Sequence, residues 1–291
     1  MLEKIFGWKT YLYLLPLAIF IIAFLIYPLI FNTVDSFENL NLNNFVNGVS
    51  QFVGFNNYTN LFSKESFYTA LYNTFVFTVI SIFFQFTIGF LIALLFNRSF
   101  PLKNLFIGFI MLPWFTPSIV YGEFFRFLFG SEGILNNVLM SVGFIHNPVN
   151  WITNPVLTIF SLTMANIWLG IPFNFALLYT GLKGLPSEVL EAADIDGANR
   201  WQKVLYVIFP MLRPVVFVTL ILGTIGTVKV FDLVWIVTQG GPANSSQLFS
   251  TLSYTFAFNT FNFGLAAATI VIMSIIVIAI TSIFFIFQPK S

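Results

Sequence analysis

Charged and amide side chains are scarce in this chain, so the few that fall inside apolar runs are the first candidates for chemistry. Charged residues make up 8% of 291 residues, and two pairs of opposite sign stand three apart in apolar surroundings: Glu123 with Arg126, and Lys229 with Asp232. On a helix that spacing puts both side chains on one face, where they can form an ion pair or part of an ion or proton path. Asn166, Gly170 and Asn174 recur every four residues in "MANIWLGIPFNF" and also share a helical face, with Trp168 and Phe173 close by. Amides in an apolar helix either line a polar cavity or join helices, because lipid offers them no hydrogen-bond partner. Gly223, Gly226 and Thr227 form a small-residue patch that fits the same two roles. Covalent chemistry has little to work with. There is no Cys, the lone His146 stands in a polar loop beside Asn147 and Pro148, and no metal site is expected. No G-x-x-x-x-G-K-[ST] phosphate loop occurs, so no ATP-binding loop of that kind is expected in this chain.

The elements that carry these residues are membrane helices. With 58% hydrophobic and 19% aromatic residues and a mean hydropathy of +0.89, the chain is too apolar for a water-soluble domain of this length. A net charge of +1 without a basic patch gives no attraction for nucleic acid. A bilayer core needs roughly 20 mostly apolar residues per helix, and six such runs lie near residues 11–31, 71–96, 105–129, 156–179, 214–237 and 263–287. They read as one domain over residues 1–291. The first run is too long for a signal peptide and lacks a small-residue cleavage site, so it is read as retained. With the N-terminus inside, the inner segments carry Lys4, Lys9, Arg98, Lys103, Lys183, Arg200, Lys203, Arg213 and Lys290, and the outer loops only Lys64. Positive loops stay cytoplasmic, which puts both termini there. Pro113 and Pro117, in "MLPWFTPS", are expected to bend the third span. The "TQGGPANSS" stretch is expected to turn the chain outside.

The inner loop 181–213 carries the densest charge. Pro186 suits a first helical turn, Glu188 and Glu191 favour its positive dipole end, and Asp196 with Gly197 make a stop. A second helix follows, with Trp201, Val204, Leu205, Ile208 and Leu212 at helical spacing on one apolar face that can lie along the inner membrane surface. Ala192 and Ala193 allow close approach to a docking partner.

The segment "EAADIDG", followed nine residues later by "VIFP", resembles the EAA signature of permease subunits of bacterial binding-protein-dependent ABC importers, with Val207 and Phe209 as apolar departures. "FVGFNNYTNLF", "LPSEVLEAADIDGANRWQ" and "FDLVWIVTQGGPANSSQLFSTLSYTFAF" are similar to the sugar branch of that family, so the resemblance covers almost the whole chain. It implies an all-α membrane protein of the type I ABC importer permease fold, with six transmembrane helices and a cytoplasmic coupling helix. It also implies a second homologous permease, two ATPase subunits that bind the ATP and Mg, and an extracellular binding protein that delivers a sugar or oligosaccharide. Glu191, Ala192, Ala193, Asp194 and Gly197 become the ATPase-coupling positions. Asn166, Gly170, Phe173, Asn174, Gly223 and Thr227 become candidates for the substrate path, with helix packing the alternative for each. Glu123, Arg126, Lys229 and Asp232 are candidates for ion pairs at the outer gate. A glycerol-phosphate importer, an ion-coupled secondary transporter and a structural or signalling membrane protein are the alternatives. The bacterial cytoplasmic membrane is the expected location.

Overall fold

Every backbone N–H and C=O inside a bilayer must find a partner within the protein, so long apolar runs fold as helices. The computed structural model describes residues 8–286; Lys4, Lys290 and the expected end of the last span at Phe287 lie outside the described residues. In chain order the helices are α1 (Trp8–Ile21), α2 (Tyr27–Asp35), α3 (Leu42–Asn47), α4 (Asn56–Phe62), α5 (Glu65–Phe96), α6 (Lys103–Phe115), α7 (Ser118–Leu128) and α8 (Ile134–Ser141). They continue as α9 (Thr158–Lys183), α10 (Ser187–Ile195), α11 (Arg200–Gln202), α12 (Phe209–Met211), α13 (Arg213–Val228), α14 (Asp232–Val237), α15 (Phe249–Tyr254) and α16 (Phe263–Ile286). Among the described residues five helical stretches are long and apolar enough to cross a membrane, six when α6 and α7 count as one broken span.

Two of the joints between helices have a common cause. π-helical turns at Ile22–Ile26 and Lys203–Ile208 stand just before Pro28 and Pro210. A proline ring strikes the carbonyl four residues back and has no N–H to give it. Widening the preceding turn to i→i−5 bonds, as in Tyr27 N–H to Ile22 O and Phe209 N–H to Val204 O, lets the helix continue past the ring.

The described residues gather into two compact units, 8–64 with 253–272, and 65–252 with 273–286. In the first, Ser36 is fully buried and shares a 2.6 Å hydrogen bond with the Tyr58 hydroxyl. Asn57 donates to the carbonyls of Ser36 and Glu38, both at 2.9 Å. A Cβ on Gly264 would strike the Glu38 carbonyl and the Asn57 amide, so only glycine fits there. The apolar stretch Leu12–Asp35 buries none of its length within the chain.

The second unit is organised on α5 and α9, which pack along one another. Four-residue ridges of both helices meet in parallel register. Asn166 donates its amide to Ser81 Oγ at 2.9 Å, Gly170 lies under the Gln85 carboxamide, and a Cβ on Gly89 would stand 2.8 Å from the Asn174 Cβ. Toward the N-terminal ends of both helices Phe77 and Leu162 anchor an apolar cluster with Phe125, Leu233, Val234 and Leu248. Toward their C-terminal ends Ala93, Phe175 and Leu178 form a second cluster with Ile208, Leu212 and Val216. The connection from α7 to α9 is held by Asn136, which is fully buried. It donates to the carbonyls of Ser131 and Val149 at 3.0 and 2.9 Å and accepts from Val149 N and Trp151 Nε1 at 3.0 and 2.9 Å.

Candidate functional site

Between the two apolar clusters, halfway along α5 and α9, lies a cavity of about 480 Å³. Its floor is Gln85 of α5 with Asn166, Gly170 and Phe173 of α9, and Gly223, Gly226 and Thr227 of α13 close one side. Trp114, Thr116, Ser118 and Tyr121 of α6 and α7 form the opposite wall. That wall exists because the third span is broken. Pro117 disfavours the helical conformation in the residue before it, and Thr116 is extended at ψ 126°, followed by an extended Pro117. The two helices consequently meet at 95°, a sharper break than the bend expected from the prolines alone. Thr116 Oγ1 donates to the Leu112 carbonyl at 2.9 Å, and Trp114 sets its ring edge-on to Phe173 at 5.8 Å.

Five of the six residues singled out for a substrate path line this one cavity: Asn166, Gly170, Phe173, Gly223 and Thr227. Asn174 does not. It is buried against Gly89 and returns its amide to the Gly170 carbonyl at 2.9 Å, so its contacts are those of helix packing. Trp168 likewise turns to Phe125, edge-on at 5.7 Å. Sequence reading missed Gln85, although a lone Gln in a 32-residue apolar helix was a visible signal. It donates through Nε2 to the Asn166 carbonyl at 2.8 Å.

The ion-pair candidates divide. Glu123 and Arg126 pair at 3.6 Å with both side chains about half exposed. Lys229 and Asp232 form no ion pair among the described residues, because Lys229 caps the end of α13 and α14 starts only at Asp232. The i,i+3 geometry that would join them needs an unbroken helix, and none of the four lines the cavity.

The inner loop folds as its punctuation requires. α10 ends on Gly197, whose φ of +78° is left-handed. Ala198 N–H bonds to Ala193 O at 3.0 Å and Gly197 N–H to Asp194 O at 3.1 Å, the crossed pair of a Schellman stop. Asn199 and Gln202 then cap the next helix reciprocally, and Lys203 forms an ion pair back to Asp194. Ala193 is buried and Leu190 packs on the second apolar cluster, while Glu191, Ala192, Asp194 and Gly197 are exposed together with Ile195, at 86%. The following helix departs from the single apolar face expected for it. Val204, Ile208 and Leu212 pack into the cluster, whereas Trp201 and Leu205 stay exposed, because the π turn shifts the register between them. Among the described residues no group of three His, Asp or Glu is placed to hold a metal.

A helical chain with a polar cavity at mid-span and an exposed helix between two spans has the build of a membrane transport subunit. Residues 85–291 match the family described as binding-protein-dependent transport system inner membrane component, and the chain belongs to that family. It is 29% identical over 277 residues to the trehalose/maltose transport system permease protein MalF of Thermococcus litoralis, covering 94% of this chain and 91% of that one. It is 30% identical over 280 residues to the arabinooligosaccharides transport system permease protein AraP of Bacillus subtilis, covering 94% and 87%. Its fold is that of a chain in the crystal structure of a bacterial ABC transporter involved in import of the acidic polysaccharide alginate, with a TM-score of 0.83 at 22% identity over 97% and 95% of the two chains. The chain is therefore an all-helical membrane permease of the ABC importer class.

Proposed function

We propose that this chain forms half of the pore of an ATP-driven importer and passes a sugar or oligosaccharide handed over by an extracellular binding protein. The observation that carries the reading is the central cavity, whose lining combines amides, hydroxyls and aromatic rings and, among the described residues, contains no charged side chain. Saccharides need hydrogen-bond partners for their hydroxyls and apolar or aromatic surface for their C–H faces. Relatives named for trehalose/maltose and arabinooligosaccharide transport support the same class.

The exposed side of α10, with Glu188, Glu191, Ala192 and Ile195 outward, is the surface for a cytoplasmic ATPase. Two ATPase subunits supply the ATP and Mg chemistry, and a second permease completes the pore. Closure of the ATPases on ATP draws the α10 segments of the two permeases together and turns the core outward to receive sugar. Hydrolysis lets them part and opens the core inward. A fixed mid-membrane site served by rigid-body rocking is the general pattern of such transport.

Reconstitution of the permease pair with ATPases and binding protein in vesicles tests this. Uptake of labelled sugar is expected to need ATP, and to fail together with ATPase capture when Glu191→Lys or Gly197→Pro is introduced. Uptake sustained by an ion gradient without ATPases overturns the proposal.

A further inference from the structure

The cavity floor presents a fixed amide oxygen, and the reason lies in how Gln85 is held. Gln85 is 3% exposed and forms part of the cavity floor. Its Nε2 donates to the backbone carbonyl of Asn166 at 2.8 Å. A carbonyl oxygen can only accept, so the amide cannot be turned round, and Oε1 becomes its free end. No hydrogen bond to Oε1 comes from the described residues. The carboxamide also lies where a Cβ of Gly170 would point, and a methyl there would strike its carbon, nitrogen and oxygen alike, so packing fixes the rotamer. Asn166 gives one Nδ2 hydrogen to Ser81 Oγ at 2.9 Å, a hydroxyl that can accept or donate, so its amide is not fixed by its partner as that of Gln85 is.

Each of the two amides thus commits one N–H inside the protein and keeps its oxygen, beside its second N–H, for whatever enters. A neutral sugar carries O–H donors that satisfy such oxygens. A carboxylate, sulfonate or phosphate group carries only acceptors, and against this chain's half of the path it would lose its water beside amide oxygens, with no Lys, Arg or His in the lining among the described residues. The hydroxyls of Ser118, Tyr121 and Thr227 can each donate, but a neutral donor holds a desolvated anion less strongly than a cation does.

We propose that Gln85 is a specificity-determining residue of the path, admitting uncharged polyhydroxylated saccharides and excluding their uronate, sulfonate and phosphate counterparts. This rests on the reading of the cavity as the sugar path. The binding protein filters solutes too, so the test omits it. The assembled permease–ATPase complex in nanodiscs is titrated with a neutral gluco-disaccharide and with a uronate disaccharide of the same size, and binding is read by saturation-transfer NMR, which reaches millimolar affinities. Saturable binding of the neutral probe alone is expected for the wild type. Gln85→Lys is expected to admit the uronate and weaken the neutral sugar about tenfold, the loss of one well-placed hydrogen bond. Gly170→Ala, which displaces the amide sterically, is expected to weaken the neutral sugar without admitting the uronate. Thermal unfolding midpoints verify assembly of each variant, and if Gln85→Lys does not assemble, Gly170→Ala alone decides. Wild-type binding of both probes, or neutral binding unchanged in an assembled variant, overturns the role of Gln85 and leaves the sugar path standing. Binding of neither probe by the wild type overturns both.

Discussion

Gly89 passes so close to Asn174 that a methyl on the glycine would stand 2.8 Å from the Asn174 Cβ and 3.0 Å from the Phe175 nitrogen. The neighbour at 3.0 Å is backbone and cannot rotate away, so α5 and α9 would have to separate. Overpacking of this kind costs about 1–3 kcal/mol. Gly89→Ala is expected to lower the unfolding midpoint of the detergent-solubilised chain, while Gly226→Ala, with nothing within 4 Å of its Cβ position, leaves it unchanged. Equal midpoints for the two variants would mean that the helices do not pack at this distance.

The turn after α10 depends on backbone conformation alone. Gly197 has a φ of +78° and open space around its Cβ position, so a substitution there meets conformational strain without a clash. Left-handed backbone costs an ordinary side chain about 1–2 kcal/mol, and Asn less. Gly197→Val is expected to reduce ATPase stimulation in the assembled importer more than Gly197→Asn does. The order of the three side chains Gly, Asn and Val, measured as sugar-dependent ATP hydrolysis, checks that the stop itself matters. The reverse order would assign the effect to side-chain contact with the ATPase.

One amide ties the loop that follows α14 to α5. Asn73, 5% exposed on α5, donates to the carbonyls of Ser245 and Gln247 at 3.0 and 3.1 Å. Its replacement removes the amide donor that both carbonyls share, at about 1–3 kcal/mol. Asn73→Leu keeps the bulk and is expected to expose the 238–247 segment to protease at a rate at least tenfold above the wild type, with α9 still protected. Unchanged cleavage would show that the loop is held by other contacts.

Long apolar runs were legible because a bilayer demands about twenty apolar residues in a row, and α5, α9, α16 and the stretch Arg213–Val237 made by α13 and α14 overlap them. The stop at Gly197 was legible because left-handed backbone singles out glycine. The face formed by Asn166, Gly170 and Asn174 was legible as a face, but not what it meets. Whether an amide lines a cavity or packs depends on the register against a second helix, and Ser81, Gln85 and Gly89 lie 85 residues away in the chain. The Lys229–Asp232 pair failed for the opposite reason: the spacing assumes a continuous helix, and no proline or glycine between the two residues announces the break after Lys229.

Two threonines one turn apart on α5 are expected to respond to the same substitution with opposite signs. Thr74 and Thr78 are 4% and 7% exposed, so valine, which matches threonine in shape, changes little but the hydroxyl at either site. Thr74 Oγ1 accepts the backbone N–H of Phe249 at 3.2 Å. Thr74→Val therefore orphans a buried donor, and the loss is about 1–3 kcal/mol. Thr78 Oγ1 is buried with no hydrogen-bond partner, and the residue borders a cavity of about 420 Å³ whose other lining is mostly apolar. Removing a hydroxyl that has already lost its water and gained nothing in return is neutral or stabilising. Thermal unfolding of the two single variants in the same detergent decides the matter: the Thr74→Val midpoint is expected below wild type, and the Thr78→Val midpoint at or above it. A fall at Thr78 equal to that at Thr74 would require a polar partner for Oγ1 in the assembled protein, and would turn that apolar cavity into a contact surface for whatever supplies it.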